Sequence, residues 1–187
     1  MASGKRDHLV DTALDLFCQD GFHATGIDKI LETAGVARMT LYNHFKSKDE
    51  LILATLRRRD EKFRNWFMRT VEKLSTTPQG RLLAVFDTLE EWFTGKEFSG
   101  CMFINASAEY AALDDPIHMA SVEHKKLVLK YVRELTMAAG VTAPGELADE
   151  IMLLMEGAIV MAYVADDQNA AQNAKAAAAK LIRLSRQ

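Results

Sequence analysis

The sequence predicts an all-α protein, on three observations. Apolar residues recur three and four positions apart through most of the chain, the repeat of one helix face rather than the alternation of a strand. Proline is scarce, at 3 of 187 residues, so long helices can run without interruption. Glycine, asparagine and serine never gather into the closely repeated turn signals that an all-β chain needs.

Leu9, Ala13, Leu16 and Phe17 place one apolar stripe on a helix over residues 5–20, which Gly21 closes as a left-handed cap. A shorter helix over 27–34 carries Ile27, Ile30, Leu31 and Ala34 on one side and stops at Gly35. A third, over 37–44, turns Leu41 inward, with Phe45 just past its end. Ser47 and Glu50 have the spacing of a capping box, in which the hydroxyl takes a backbone N–H and the carboxylate reaches back, so a long helix starts there. Leu56, Phe63, Phe67, Val71 and Leu74 carry it to residue 75. Thr76, Thr77 and Pro78 break it, and Pro78, whose missing N–H costs nothing in a first turn, opens the next helix to residue 93. After a loop over 95–100 come helices over 101–113 and 117–139, separated by the turn signal of Asp114, Asp115 and Pro116. A last break at 140–145 precedes a strongly apolar helix over 146–165 and an alanine-rich one over 170–185. The nine helices divide into a three-helix part, 1–47, and a larger helical part, 48–187.

No apolar run approaches the roughly 20 residues of a membrane span, and the first six residues lack the apolar stretch of a signal peptide. A cytoplasmic protein without membrane contact is expected. Cys18 and Cys101 stand far apart without metal-ligand spacing, so neither a disulfide nor a cofactor is expected. Asp20 with His23, and Asp115 with His118, each have the i, i+3 spacing of metal ligands but lack a second acidic cluster, so no metal is expected. A Gly-rich phosphate loop, a Gly-x-Ser-x-Gly elbow and a Glu-x-x-His pair are all missing, which argues against an enzyme. The net charge of −3 is unevenly spread: residues 1–75 hold 13 basic and 11 acidic side chains, and the remainder 10 and 15. That asymmetry suits an N-terminal part that meets a polyanion.

The pair of short helices joined at Ala34, Gly35 and Val36 has helix-turn-helix proportions. Its second helix arrays Arg38, Met39, Thr40, Tyr42, Asn43 and His44 around one apolar Leu41. Such groups bond base edges and meet thymine methyls when a helix enters the DNA major groove. Lys5, Arg6, Lys46 and Lys48 flank it where phosphates would lie. Arg57, Arg58 and Arg59 read as a solvated face of the long helix.

The stretch GFHATGIDKILETAGVARMTLYNHFKSKDELI, residues 21–52, resembles the signature of the tetracycline-repressor (TetR) family. By that resemblance Thr25, Tyr42 and Lys48 hold phosphates, and Arg38, Met39, Thr40, Asn43 and His44 face bases of a palindromic operator in double-stranded DNA. The resemblance departs at Ala37 and Gly26, where many members have a hydroxyl that caps the following helix. It further implies a homodimer through the last two helices and release by a small-molecule effector. Among the aromatic and methionine residues of the larger part, Trp66, Phe67, Phe86, Phe103, Asn105, Tyr110 and Met155 are the expected effector contacts, favouring a lipophilic or aromatic molecule. Leu153, Leu154, Ile159 and Val160, with Ala174, Ala177, Ala178 and Leu181, are the expected dimer contacts. Cys101, after Ser99 and Gly100 at a helix start, reads as a packed side chain or, by the resemblance, as a thiol sensor.

Overall fold

Leu9, Ala13, Leu16 and Phe17 are buried, as their spacing requires, on the first helix of a computed structural model that describes residues 2–186, with side chains from Gly4 onward. Nine helices and no strand occur among the described residues. They are α1 (Ala2–Asp20), α2 (Ile27–Ala34), α3 (Arg38–Tyr42), α4 (Lys48–Leu74), α5 (Pro78–Phe93), α6 (Met102–Glu109), α7 (Pro116–Ala138), α8 (Pro144–Val164) and α9 (Ala170–Leu184). The chain forms two units, one of residues up to Lys62 together with Met102–His124, the other of Phe63–Cys101 with Lys125 onward.

In the first unit α1, α2 and α3 pack on one another. Gly35 ends α2 with φ +63, and the Gly35 and Val36 N–H groups bond back to the Glu32 and Leu31 carbonyls at 3.2 and 3.1 Å. Those bonds form a Schellman closure, whose left-handed residue is best supplied by glycine. Ser47 Oγ accepts from the Glu50 N–H at 3.2 Å, and the Glu50 carboxylate accepts from the Lys46 N–H at 2.5 Å. The capping box therefore closes one residue further back than its usual form. Asp7 and Asp11 of α1 bond Arg58, and Asp11 also takes Lys62 at 2.8 Å, so the arginine run of α4 is partly engaged within the unit.

α6 ends at Glu109 rather than near residue 113. The intervening residues are needed for a turn in which the Asp115 N–H bonds the Ala112 carbonyl and Asp115 Oδ1 accepts from the Ile117 N–H at 2.7 Å. In the second unit α5, α8 and α9 pack together. Thr77 caps α5 by accepting from the Gly80 N–H at 3.1 Å. Ala174 and Ala178, offered by the sequence to a partner helix, are buried inside this bundle. No helix among the described residues is long and apolar enough to cross a membrane.

Candidate nucleic-acid interface

α3 has one inward residue and an outward remainder. Leu41 is fully buried, whereas Met39 is 71% and Tyr42 46% exposed. Arg38 and Asn43 are exposed, and Thr40 and His44 half-buried, on the same short segment. Ala37 occupies the N-cap with extended backbone and no side-chain bond, as does Gly26 before α2. Arg38 donates to the Asp28 carboxylate of α2. Arg6 lies over the Phe45 ring, 5.1 Å from its centroid. His8 Nε2 is 3.0 Å from the Ala34 carbonyl, which only accepts, so that nitrogen carries the proton and ties α1 to the turn.

Thr25 is placed differently from the other expected contacts. It is 0% exposed, and its hydroxyl donates to the Gly21 carbonyl at 2.7 Å, so the side chain closes the loop after α1 instead of meeting solvent. Lys48 is half-buried, with Nζ 3.4 Å from the His23 carbonyl. Burial pulls its pKa below the ordinary lysine value, against the opposing pull of the Asp49 and Glu109 carboxylates.

Glu109, at the end of α6, was not among the expected site residues. Its carboxylate accepts from the Phe22 N–H at 2.9 Å, the His23 N–H at 2.6 Å and His23 Nδ1 at 2.8 Å. Burial pushes its pKa up, but these bonds and the His23 charge outweigh that and hold the carboxyl below its ordinary value. The Tyr110 ring stacks on His23 at 4.8 Å, and its hydroxyl is pushed up to about 12 by burial and by Asp49, Glu109 and Asp115. Gly21, with φ +84, leaves room for the carboxylate, since a Cβ there would stand 3.0 Å from Glu109 Oε1. Only the end of α6 at Glu109 reveals an acid that opposes the helix dipole and needs a compensating donor, a signal that a helix expected to run to residue 113 does not display.

Residues 9–55 match the model of bacterial regulatory proteins of the tetR family, and residues 78–178 match the tetracyclin repressor-like C-terminal domain. The second match alone covers more than half of the 187 residues. The chain belongs to the TetR family. A TetR-family transcriptional regulator of known structure from Streptomyces coelicolor superposes with TM-score 0.91 at 30% identity, covering 99% of this chain and 97% of that one. The reduced form of Escherichia coli NemR superposes with TM-score 0.81 at 25% identity, covering 93% and 95%. The HTH-type transcriptional regulator YjdC of Escherichia coli strain K12 is 23% identical over 97% of this chain and 95% of its own length. This TetR-family protein is accordingly a helix-turn-helix transcriptional regulator, and its family and relatives are regulators rather than enzymes.

The expected effector contacts of this TetR-family chain are distributed between its two units. In the second, Phe67, Phe86 and Met155 are buried and Trp66 half-buried. Phe63 there stacks on Phe67 at 5.6 Å and meets Trp66 and Trp92 at 5.8 and 4.9 Å. Tyr131, which the sequence reading did not single out, packs edge-on against Phe67 at 6.1 Å, and its buried hydroxyl has no hydrogen-bond partner among the described residues. In the first unit Tyr110 belongs to the Glu109 cluster, Phe103 stacks on the buried His124 at 3.6 Å, and Asn105 is half-buried. Cys101 is buried, with Lys125 Nζ 3.5 Å from its sulfur, and that ammonium is held by Glu156 at 2.6 Å. The acid and histidine pairs turn to other partners: Asp20 to Lys29, His23 to Glu109, His118 to the Tyr110 carbonyl.

Proposed function

We propose that this regulator is a repressor whose homodimer sets two copies of α3 into successive major grooves of a palindromic operator, and that a lipophilic or aromatic effector releases it. The observation that carries the reading is the outward face of α3, where Arg38, Met39, Tyr42 and Asn43 surround a fully buried Leu41. A methionine 71% exposed has no use in the isolated fold, but it suits contact with a thymine methyl. Thr40 and His44 complete the base-facing set, while Tyr42 and Lys48 serve phosphates. Repression is supported by the relative NemR, which is named a transcriptional repressor.

The dimer is supported by a second apolar face on α8. Leu153, Gly157, Val160, Met161 and Val164 recur at helical spacing and are all exposed, opposite a buried face of Leu147, Ile151, Met155 and Ala158. A Cβ added at Gly157 would meet nothing within 4 Å, so nothing inside the chain requires a glycine there, whereas close approach of a partner helix would. With Leu184 of α9, also exposed, this face is the proposed subunit contact. Two recognition helices held about 34 Å apart would match one turn of B-DNA.

The effector would lie in the second unit along the aromatic run of Phe63, Trp66, Phe67 and Trp92, with the Tyr131 hydroxyl as its polar fixing point. Transmission would act on α6, because Glu109 alone fastens three donors of the loop that leads into α2. Cys101 reads as packing: a maleimide should label it no faster than slowly opening protein allows, and rapid labelling that abolishes DNA binding would favour the sensor role. Selection of bound fragments from a random DNA pool tests the main reading. A two-fold symmetric site supports it, and a pool that stays random rejects it.

A further inference from the structure

Arg38 and Asp28 are ten residues apart and form an ion pair on the outward side of the helix-turn-helix. Their side chains are 57% and 82% exposed, and a pair so wetted does little for stability. Its effect is on where the guanidinium points. Arginine carries five N–H donors in a planar fork, and the contact to Asp28 uses Nη2 alone. Four donors therefore stay free. A bidentate contact to guanine O6 and N7 needs two of them. Arg38 is the first residue of α3, and the N-terminal residues of a recognition helix are those that reach base edges. Asp28 cannot itself read guanine on the O6 and N7 edge, since both sides would be acceptors.

We infer that Asp28 is a positioning residue that aims Arg38 at a guanine, and so sets specificity at a base it does not touch. The inference rests on the proposal that α3 reads the operator. Holding the arginine before DNA arrives removes part of the ordering cost of a long side chain, by no more than the pair itself is worth, which corresponds to about two- to fivefold in discrimination.

The test is selection from a random DNA pool with the full-length wild type and the variants Arg38→Ala, Asp28→Asn, Asp28→Glu and the double Asp28→Asn/Arg38→Ala, followed by binding to single-base variants of the selected site. The wild type is expected to demand a guanine at one position per half-site, and Arg38→Ala to lose that demand. Asp28→Asn should weaken the same position about two- to fivefold, leaving the others unchanged. Asp28→Glu should restore part of it, and the double variant should be no worse than Arg38→Ala. The slope of affinity against salt should not change in Asp28→Asn, because no phosphate contact is gained. Equal changes at every position, no change at the guanine, or a steeper salt slope showing that the freed arginine has gone to a phosphate would each overturn the inference. A wild type that selects no site would overturn the operator reading and this inference with it. Melting temperatures identify any loss of fold, in which case Asp28→Glu decides.

Discussion

At Ala37 the recognition helix starts without a side-chain acceptor for its first N–H groups, of which that of Thr40 bonds the Ala37 carbonyl at 2.8 Å. Ala37→Ser is expected to supply one and to stabilise the protein by about 0.5–2 kcal/mol. For a chain of this size that raises the melting temperature by roughly 2–4 °C per kcal/mol, and an unchanged melting curve would mean the groups are already satisfied. Glu109 gives a pH signature. Its folded pKa lies below the ordinary value of 4.5, so its stabilisation is complete above that value and is lost as the pH falls beneath it. Melting temperatures of wild type and Glu109→Ala should therefore differ near neutrality and converge in acid; a gap that persists at the lowest pH would remove the ionised carboxylate from the explanation. Tyr110 and Tyr131 act with the opposite sign. Burial and neighbouring carboxylates raise both from 10.0 to about 12, so stability held below pH 10 is lost as the pH climbs toward 12. Phenolate absorbance should show two of the four tyrosines ionising late, and the delay should vanish on unfolding.

At the scale of the element, α8 carries apolar residues on two faces, and the chain itself covers one of them. Replacing Leu153 and Val160 by Glu is expected to leave helicity intact, because both are exposed, and to yield monomers in sedimentation. Operator affinity should fall with the loss of the dimer, since each half-site would then bind alone. A double variant that still sediments as a dimer would place the subunit contact elsewhere. The sequence predicted α2 and α5 to the residue, because Gly35 and Pro78 punctuate them physically. α3 and α6 came out shorter than their apolar spacing suggested, since capping and turn bonds decide where such short helices stop.

For the whole molecule, operator binding should weaken steeply as salt rises, because lysines at the proposed phosphate positions, Lys48 among them, would displace counterions. Affinity that barely changes between low and high salt would leave α3 without its expected phosphate contacts. The helix-turn-helix was legible because its residues are consecutive, from Gly21 to Ile52. The Glu109 cluster was not, because its partners lie 86 and 87 positions away and no local pattern joins them. The inward turn of Thr25 was equally hidden, since its acceptor is a backbone carbonyl.

That long span has a consequence for synthesis. The segment that meets DNA leaves the ribosome early, but the acid that braces its leading loop is among residues made much later. A polypeptide truncated after α4 would carry a recognition helix without its brace, and such fragments should be weak rivals of the finished regulator for its binding sites.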